Sequence, residues 1–398
     1  MVEIKNPLYD SARMSTQSIH ADQHLIVSPE VAPGITLSST YLYSKNGHTS
    51  PNFGNDQLYQ YSRYGTPTIA RAESVLGTLT NGYATMHSSG LTSLFALLIH
   101  YRPTRIAMKN GYFGSTNVVN LYRTLVPNLV VISLSDQFKE NDFVWLETPL
   151  NPTGEVDDIR YYANKAHAVN AILAVDSTFA PPPLCDPFKQ GADVIVHSGT
   201  KYFGGHADVL CGVIVTKCRE MNEALHKQRN VMGATPGSME AWLILRSIRT
   251  LELRVRQQSK TTHMLVAWLA NAAKGCNLIE TDGIPVGAIK SVKHASIQTF
   301  SPSFDVCAQH PNGFGPVFSV VFKTQEQALF VARHLRLTTF ATSLGGVMSL
   351  ADWRHGDDPT QDPGLLRISV GLEDIEDLKN DWRSTIQASQ IALESSKL

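Results

Sequence analysis

Three charged residues stand where a charge is costly. Asp176 closes the apolar run AILAVD (171–176). Lys201 follows the apolar residues of DVIVHSGTKYFGGHADVLCG (193–212), and Arg367 lies inside LLRISV (365–370). An ion taken out of water needs a partner. A lysine amine adds to an aldehyde through its neutral fraction, which burial and nearby positive charge both enlarge. A carboxylate at a strand end can pair with a protonated ring nitrogen. An arginine among Leu365, Leu366, Ile368 and Val370 calls for an anion.

Groups able to hold a phosphate accompany them. Ser198 and Thr200 flank the lysine with hydroxyls. Gly90 and Leu91 follow MHSSG and open an apolar helix over 88–101, where unpaired N–H groups favour an anion. Tyr61 and Arg63 lie in QYSRYGTPT (60–68), and an arginine can fork onto a phosphate. Each signal alone has an ordinary reading: a snorkelling lysine, a turn aspartate, a glycine turn, a surface arginine. Together, a Schiff-base lysine, an aspartate for a pyridinium nitrogen and a phosphate cradle describe a pyridoxal phosphate (PLP) site.

The elements that must position these groups are short. VWLE (144–147), AILAVD (171–176), ADVIVHS (192–198) and GVIVTK (212–217) are apolar without alternation. This predicts strands buried on both faces of a mainly parallel sheet with helices between them. Glu147, Asp176 and Ser198 gather at the strand ends, where open α/β sheets bind ligands. A long helical stretch is expected over 237–272. Beyond it lie two strands, 317–323 and 365–370, and a closing helix from about 374. Residues 1–60 read as irregular.

The totals narrow the function. The chain has 398 residues, 43% apolar and 17% charged, which fits a large domain with a smaller one. A net charge of −1 gives no general attraction to nucleic acid or anionic membrane. The five cysteines are scattered without a CxxC pair, so neither a metal site nor a disulfide framework is expected. No signal peptide is evident, and no apolar run reaches the ~18 residues of a membrane helix. A cytoplasmic protein is expected.

HSGTKYFGGHADVLCG resembles the lysine segment of the Cys/Met-metabolism PLP enzymes. YSRYGTPT, SSGL, ETPLNPTG, DSTFAPP, SLGGVMSL and LLRISVGLEDIEDL follow in that family's order over roughly residues 16–385. The resemblance implies an α/β fold of the aspartate-aminotransferase type (fold-type I): an arm over 1–60 contacting a neighbouring subunit, a PLP-binding domain over 61–250, and a smaller α+β domain over 251–398. It implies that Lys201 holds the cofactor and moves protons. Asp176 would pair with the ring nitrogen, and Ser198, Thr200, Thr178 and the N–H groups of Gly90 and Leu91 would line the cofactor. Tyr61 and Arg63 would reach the neighbouring subunit's phosphate, in a dimer of dimers. Arg367, with Ser343 and Asn151, would hold the substrate carboxylate.

Two departures bear on chemistry. The family's ring-stacking tyrosine falls in GYFGST (111–116), where either Tyr112 or Phe113 could face the ring; Tyr112 could also act as acid or base. Members using cysteine tend to carry acidic residues where this chain has Gln60 and Thr342, so an ammonium group on the second reactant would lose two partners. The expectation is γ-replacement on an activated homoserine such as O-acetyl-L-homoserine, through a vinylglycine-type intermediate, with a carbon nucleophile such as a β-keto acid enolate. The alternatives are cystathionine γ-synthase proper and a C–S lyase.

Overall fold

Strands buried on both faces need side chains that fill two different cores, and the central strands do this by alternation. A computed structural model describes residues 11–26, 30–42, 59–274 and 282–395. The first sheet holds β1 (Tyr83–His87), β2 (Arg105–Ala107), β3 (Val130–Ile132), β4 (Phe143–Glu147), β5 (Ile172–Asp176), β6 (Val194–Ser198) and β7 (Gly212–Thr216), in the order β1-β7-β6-β5-β4-β2-β3. Val144, Leu146, Leu173, Val175 and Ile195 face one core; Trp145, Ala174, Val194 and Val196 face the other. The sheet is parallel except at β7, which runs antiparallel to both β1 and β6. Residues 199–211 between β6 and β7 form the lysine loop rather than the crossover helix that a parallel return requires.

Helices cover both faces. They are α1 (Met14–His20), α2 (Pro67–Leu79), α3 (Gly90–Tyr101), α4 (Phe113–Leu125), α5 (Ile159–His167), α6 (Arg219–Met232), α7 (Ser238–Ile248) and α8 (Leu251–Lys274). Local chemistry sets their starts. Thr66 caps α2 ahead of Pro67 in the first turn, and the Ser89 hydroxyl caps α3 by accepting from Thr92 N at 3.1 Å.

A second sheet, ordered β10-β11-β12-β9-β8, holds β8 (Ile289–Lys293), β9 (Val317–Phe322), β10 (Thr338–Phe340), β11 (Ser349–Trp353) and β12 (Leu365–Ser369). With α9 (Val306–Gln309), α10 (Gln325–His334) and α11 (Ile375–Ser395) it completes the described elements. Its own core contains Phe318, Ile368 and Trp382.

Three expectations need correction. The helical stretch 237–272 is two helices, broken at Arg249 and Thr250. Leu251 and Val255 of α8 enter a core of the first sheet, whereas Leu265 and Leu269 enter that of the second, so α8 ties the two together. The second sheet has five strands where two were expected, because β8, β10 and β11 are short or carry charges. The irregular arm contains α1, which is docked on its own chain. Buried Asp22 receives Arg71 at 2.6 Å and Arg249 at 2.8 Å, and Trp242 Nε1 donates to Pro33 O at 2.7 Å. Seven residues of helix are too few for a period to declare itself, and tertiary ion pairs hold them. The remainder of the expected arm, including 43–58, lies outside the described residues.

Candidate active site

The site lies at the carboxyl ends of β4, β5 and β6. Parallel register sets Glu147 beside Asp176. Asp176 Oδ1 accepts from Thr178 N at 3.0 Å and Thr178 Oγ1 at 2.6 Å, and Thr178 Oγ1 in turn accepts from Ser198 N at 2.8 Å. One threonine therefore ties the ends of β5 and β6 together. Among the described residues no hydrogen bond reaches Asp176 Oδ2. Burial pushes this carboxyl above the ordinary aspartate range, against the pull of the Thr178 bonds. A protonated ring nitrogen would give Oδ2 the donor it lacks.

Gly90 lies against Ser198: a Cβ there would come within 3.2 Å of the Ser198 Cβ. Glycine thus lets the start of α3 approach the end of β6. The N–H groups of Gly90 and Leu91 and the Ser198 hydroxyl make no hydrogen bonds among the described residues, a donor set suited to phosphate. The Thr200 hydroxyl is differently placed, accepting from Cys211 N at 3.0 Å and donating to Cys211 O at 3.3 Å. It fastens the lysine loop to β7. These residues fit pyridoxal phosphate: an acid for its ring nitrogen, free donors for its phosphate, and an amine for its aldehyde.

That amine is Lys201, whose Nζ donates to Ser343 Oγ at 2.8 Å. Burial and then the charge of Arg367 bring it down to about 8 from its usual 10.5, while Asp352 works the other way. Ser343 has φ of +79°, a strained conformation for a residue with a side chain, and Gly345 follows with φ of +81°. A Cβ on Gly345 would stand 3.0 Å from Lys201 C, so the SLGG segment packs directly on the lysine backbone.

Arg367 completes the group. Its Nη1 donates to Asn151 Oδ1 at 3.2 Å, and its Nη2 to Ser343 O at 2.9 Å and Asp352 Oδ2 at 2.7 Å. Its Nε is buried without a partner. Burial lowers its pKa to about 10, with Asp352 opposing the shift.

Tyr112 and Phe113 adjoin, with ring centroids 5.0 Å apart. The Tyr112 backbone N–H donates to Glu147 Oε2 at 2.8 Å, and its ring covers Gly114, where any Cβ would clash with it. Burial raises its hydroxyl pKa, and the charges acting on it are those of Arg354, Arg367, Asp176 and Glu147. Tyr112 thus lies among the site's charged groups, while the Phe113 ring lies 5.6 Å from the Arg354 guanidinium. Glu147 also accepts from Asn151 N at 2.9 Å, holding both the Tyr112 and Asn151 segments. Burial, with Asp176 beside it, pushes Glu147 up to about 7.

The structure thus brings together Lys201, Ser343, Asn151, Arg367, Asp176, Thr178, Ser198, Gly90 and Tyr112. It does not bring Tyr61, Arg63, Gln60 or Thr342 to them by any hydrogen bond shown. Arg63 Nη1 donates to Asn230 O at 3.1 Å, Tyr61 forms an isolated bridge with Thr40, the Gln60 carbonyl accepts from Tyr41 N, and Thr342 is exposed. Sequence reasoning missed Asp352 and Arg354 and assigned no role to Glu147. For Asp352 there was a signal, an acid inside the apolar strand SLADW. For Arg354, in the loop-like WRHGDD, there was none. Beside Ser343 and Thr200 a cavity of about 520 Å³ opens, lined also by Asp208, Leu210 and Glu240.

The chain as a whole is similar to known proteins. The family model for Cys/Met metabolism PLP-dependent enzymes matches residues 15–387. A cystathionine gamma-lyase of Saccharomyces cerevisiae is 33% identical, covering 96% of this chain and 98% of its own. A cystathionine gamma-synthase of Mycobacterium bovis is 30% identical over 94% of this chain and 96% of its own. Among solved structures, metB from Corynebacterium glutamicum superposes with a TM-score of 0.82 at 29% identity, covering 96% of this chain and 99% of that one.

Proposed function

Because the chain belongs to the Cys/Met-metabolism family of PLP-dependent enzymes, we propose that it catalyses γ-replacement on an O-activated L-homoserine such as O-acetyl-L-homoserine, with a carbon acid of the β-keto acid type as second reactant. Bound pyridoxal phosphate supplies an aldehyde for the substrate amine and a cationic ring that stabilises negative charge at the substrate's α- and β-carbons. Asp176 keeps the ring nitrogen protonated. Arg367 and Asn151 hold the α-carboxylate. Lys201 would take the α-proton and later return it, and a pKa near 8 suits it to both tasks. Tyr112 would be the residue to stack on the ring, and Phe113 lies beside Arg354. The Cγ–O bond breaks with release of acetate, a C–C bond forms in its place as the carbon acid gives up a C–H proton that leaves with the acetate, and no net oxidation occurs.

The observation that carries this reading is Ser343. It accepts from Lys201 through its hydroxyl and from Arg367 through its carbonyl, which places the amine beside the carboxylate anchor, as α-proton transfer requires. The neutral Gln60 and Thr342 favour a second reactant without an ammonium group. One observation favours a second reading, cystathionine γ-synthase proper using cysteine: Asp208 and Glu240 line the cavity beside Ser343 and offer carboxylates to an ammonium group. In the assembly, a dimer of dimers, Tyr61 and Arg63 would donate to the phosphate of the neighbouring subunit.

Product mass spectrometry separates these readings. O-acetyl-L-homoserine is offered with a 3-oxo acid, with cysteine, or alone. A carbon–carbon adduct supports the first reading, cystathionine the second, and an oxo acid formed without any nucleophile indicates γ-elimination, the outcome expected of a lyase.

A further inference from the structure

Arg354 is a buried charge to which the proposed reaction gives no task. Only 7% of its side chain is exposed. Its Nη1 donates to Asp352 Oδ2 and to Asp357 Oδ2, both at 3.1 Å. Its Nε is buried and has no partner, and among the described residues no hydrogen bond reaches its Nη2. The Nε–Nη2 edge of a guanidinium can take a carboxylate through two parallel bonds. In Arg354 that edge is unpaired among the described residues.

The anions beside Arg354 engage only part of its guanidinium. Asp352 Oδ2 also accepts from Arg367 at 2.7 Å, so two guanidiniums share one carboxylate oxygen. Asp357 is 45% exposed, and water screens its contribution. Two buried cations thus face one buried anion. With the substrate α-carboxylate on Arg367, Asp352 is left to offset Arg354, and it reaches Arg354 through Nη1 alone. Its guanidinium stands 5.6 Å from the Phe113 ring, and its charge acts on the Tyr112 hydroxyl and on Arg367. It therefore belongs to the site rather than to a remote surface.

We propose that Arg354 binds the carboxylate of the second reactant through its unpaired Nε–Nη2 edge, so that the enzyme selects a carboxylic acid over a neutral analogue of the same skeleton. This rests on the γ-replacement reading above. A purely positioning role would act differently: Arg354 would orient Asp352 and thereby Arg367, and its loss would weaken binding of the amino acid.

The test uses holoenzyme with O-acetyl-L-homoserine, comparing 3-oxobutanoate with its ethyl ester by product mass spectrometry. Wild type is expected to favour the acid in kcat/KM. Arg354→Gln should lower the acid-to-ester ratio by about tenfold or more, the loss of one charge-assisted contact. Arg354→Lys should fall between, keeping the charge but not the fork. The ratio is insensitive to a general loss of active protein. An unchanged ratio, with KM for O-acetyl-L-homoserine raised instead, overturns the proposal in favour of positioning. A second readout needs no turnover: calorimetric titration of 3-oxobutanoate into holoenzyme saturated with L-norvaline, which has no leaving group. Binding that is lost in Arg354→Gln supports the proposal even when no carbon–carbon adduct forms, and then only the γ-replacement reading fails. Absent binding in wild type, or equal binding in both, overturns the proposal itself.

Discussion

Lys201 and Ser343 are 142 residues apart in the chain and 2.8 Å apart in the fold. The lysine comes from the loop after β6 and the serine from the loop between β10 and β11. The contact therefore fastens the second sheet's loop to the reactive amine of the first, and Ser343 passes the connection on to Arg367 through its carbonyl.

Cofactor uptake should depend on pH through this amine. The neutral form attacks an aldehyde, so the rate at which cofactor-free protein takes up pyridoxal phosphate should climb with pH through about 8 and then level off. Stopped-flow absorbance checks this. Lys201→Ala should fix no cofactor on borohydride reduction and lose about a hundredfold or more in turnover. Normal activity in that variant would remove Lys201 from the mechanism.

Arg367→Leu makes two separable predictions. The KM for the amino-acid substrate should rise about 10- to 100-fold, since a charge-assisted hydrogen bond contributes about 1.5–3 kcal/mol. The midpoint of cofactor uptake should also move to higher pH, because the Arg367 charge that depresses the Lys201 amine is gone while Asp352 remains. Steady-state kinetics and the uptake profile read the two independently.

Glu147 should make stability pH-dependent. Its carboxyl titrates near 7 in the fold against an ordinary value of 4.5. The folded chain therefore holds a proton that the unfolded chain releases. This contribution to stability is fully present below about 4.5 and is lost as pH rises to about 7. Urea denaturation of cofactor-free protein across that window should show the decline, and Glu147→Gln should reduce it, leaving the part due to the Asp176 carboxyl, which burial also raises. An equal slope in both proteins would place the titration elsewhere.

Gly345→Ala tests the packing of the serine loop on the lysine. A φ of +81° disfavours any side chain, and the new Cβ would press on Lys201 C and Tyr202 N at 3.0 Å. Strain of about 1–2 kcal/mol is expected from the backbone alone. The melting temperature should fall, and cofactor uptake should slow as the lysine shifts. Uptake at the wild-type rate would mean that the loop yields instead.

Much of this was legible one residue at a time. Asp176 and Arg367 announced themselves because a charge in an apolar strand is an anomaly that sequence displays directly. The strands β4 to β7 were legible because burial on both faces removes alternation. Glu147 was visible as a strand-end acid, but its role depends on register with Asp176 and on two N–H groups from other segments. Arg354 was not visible at all: charged residues in loops are normally solvated, and only its position behind Phe113 and beside Asp352 makes it buried.

The sequence by itself determined the chemistry available: an aspartate at a strand end, a lysine just beyond one, an arginine within an apolar strand, and a glycine-led helix start suited to an anion. Local patterning encodes these, since it depends on neighbours in the chain. Which groups meet was decided by the tertiary structure alone. Ser343 joins Lys201 to Arg367, Tyr112 and Phe113 both come to the site's charged groups, and one carboxylate is shared between two arginines. Such pairings arise from loops of two sheets closing on each other, and their energies belong to burial and distance, which no linear spacing records.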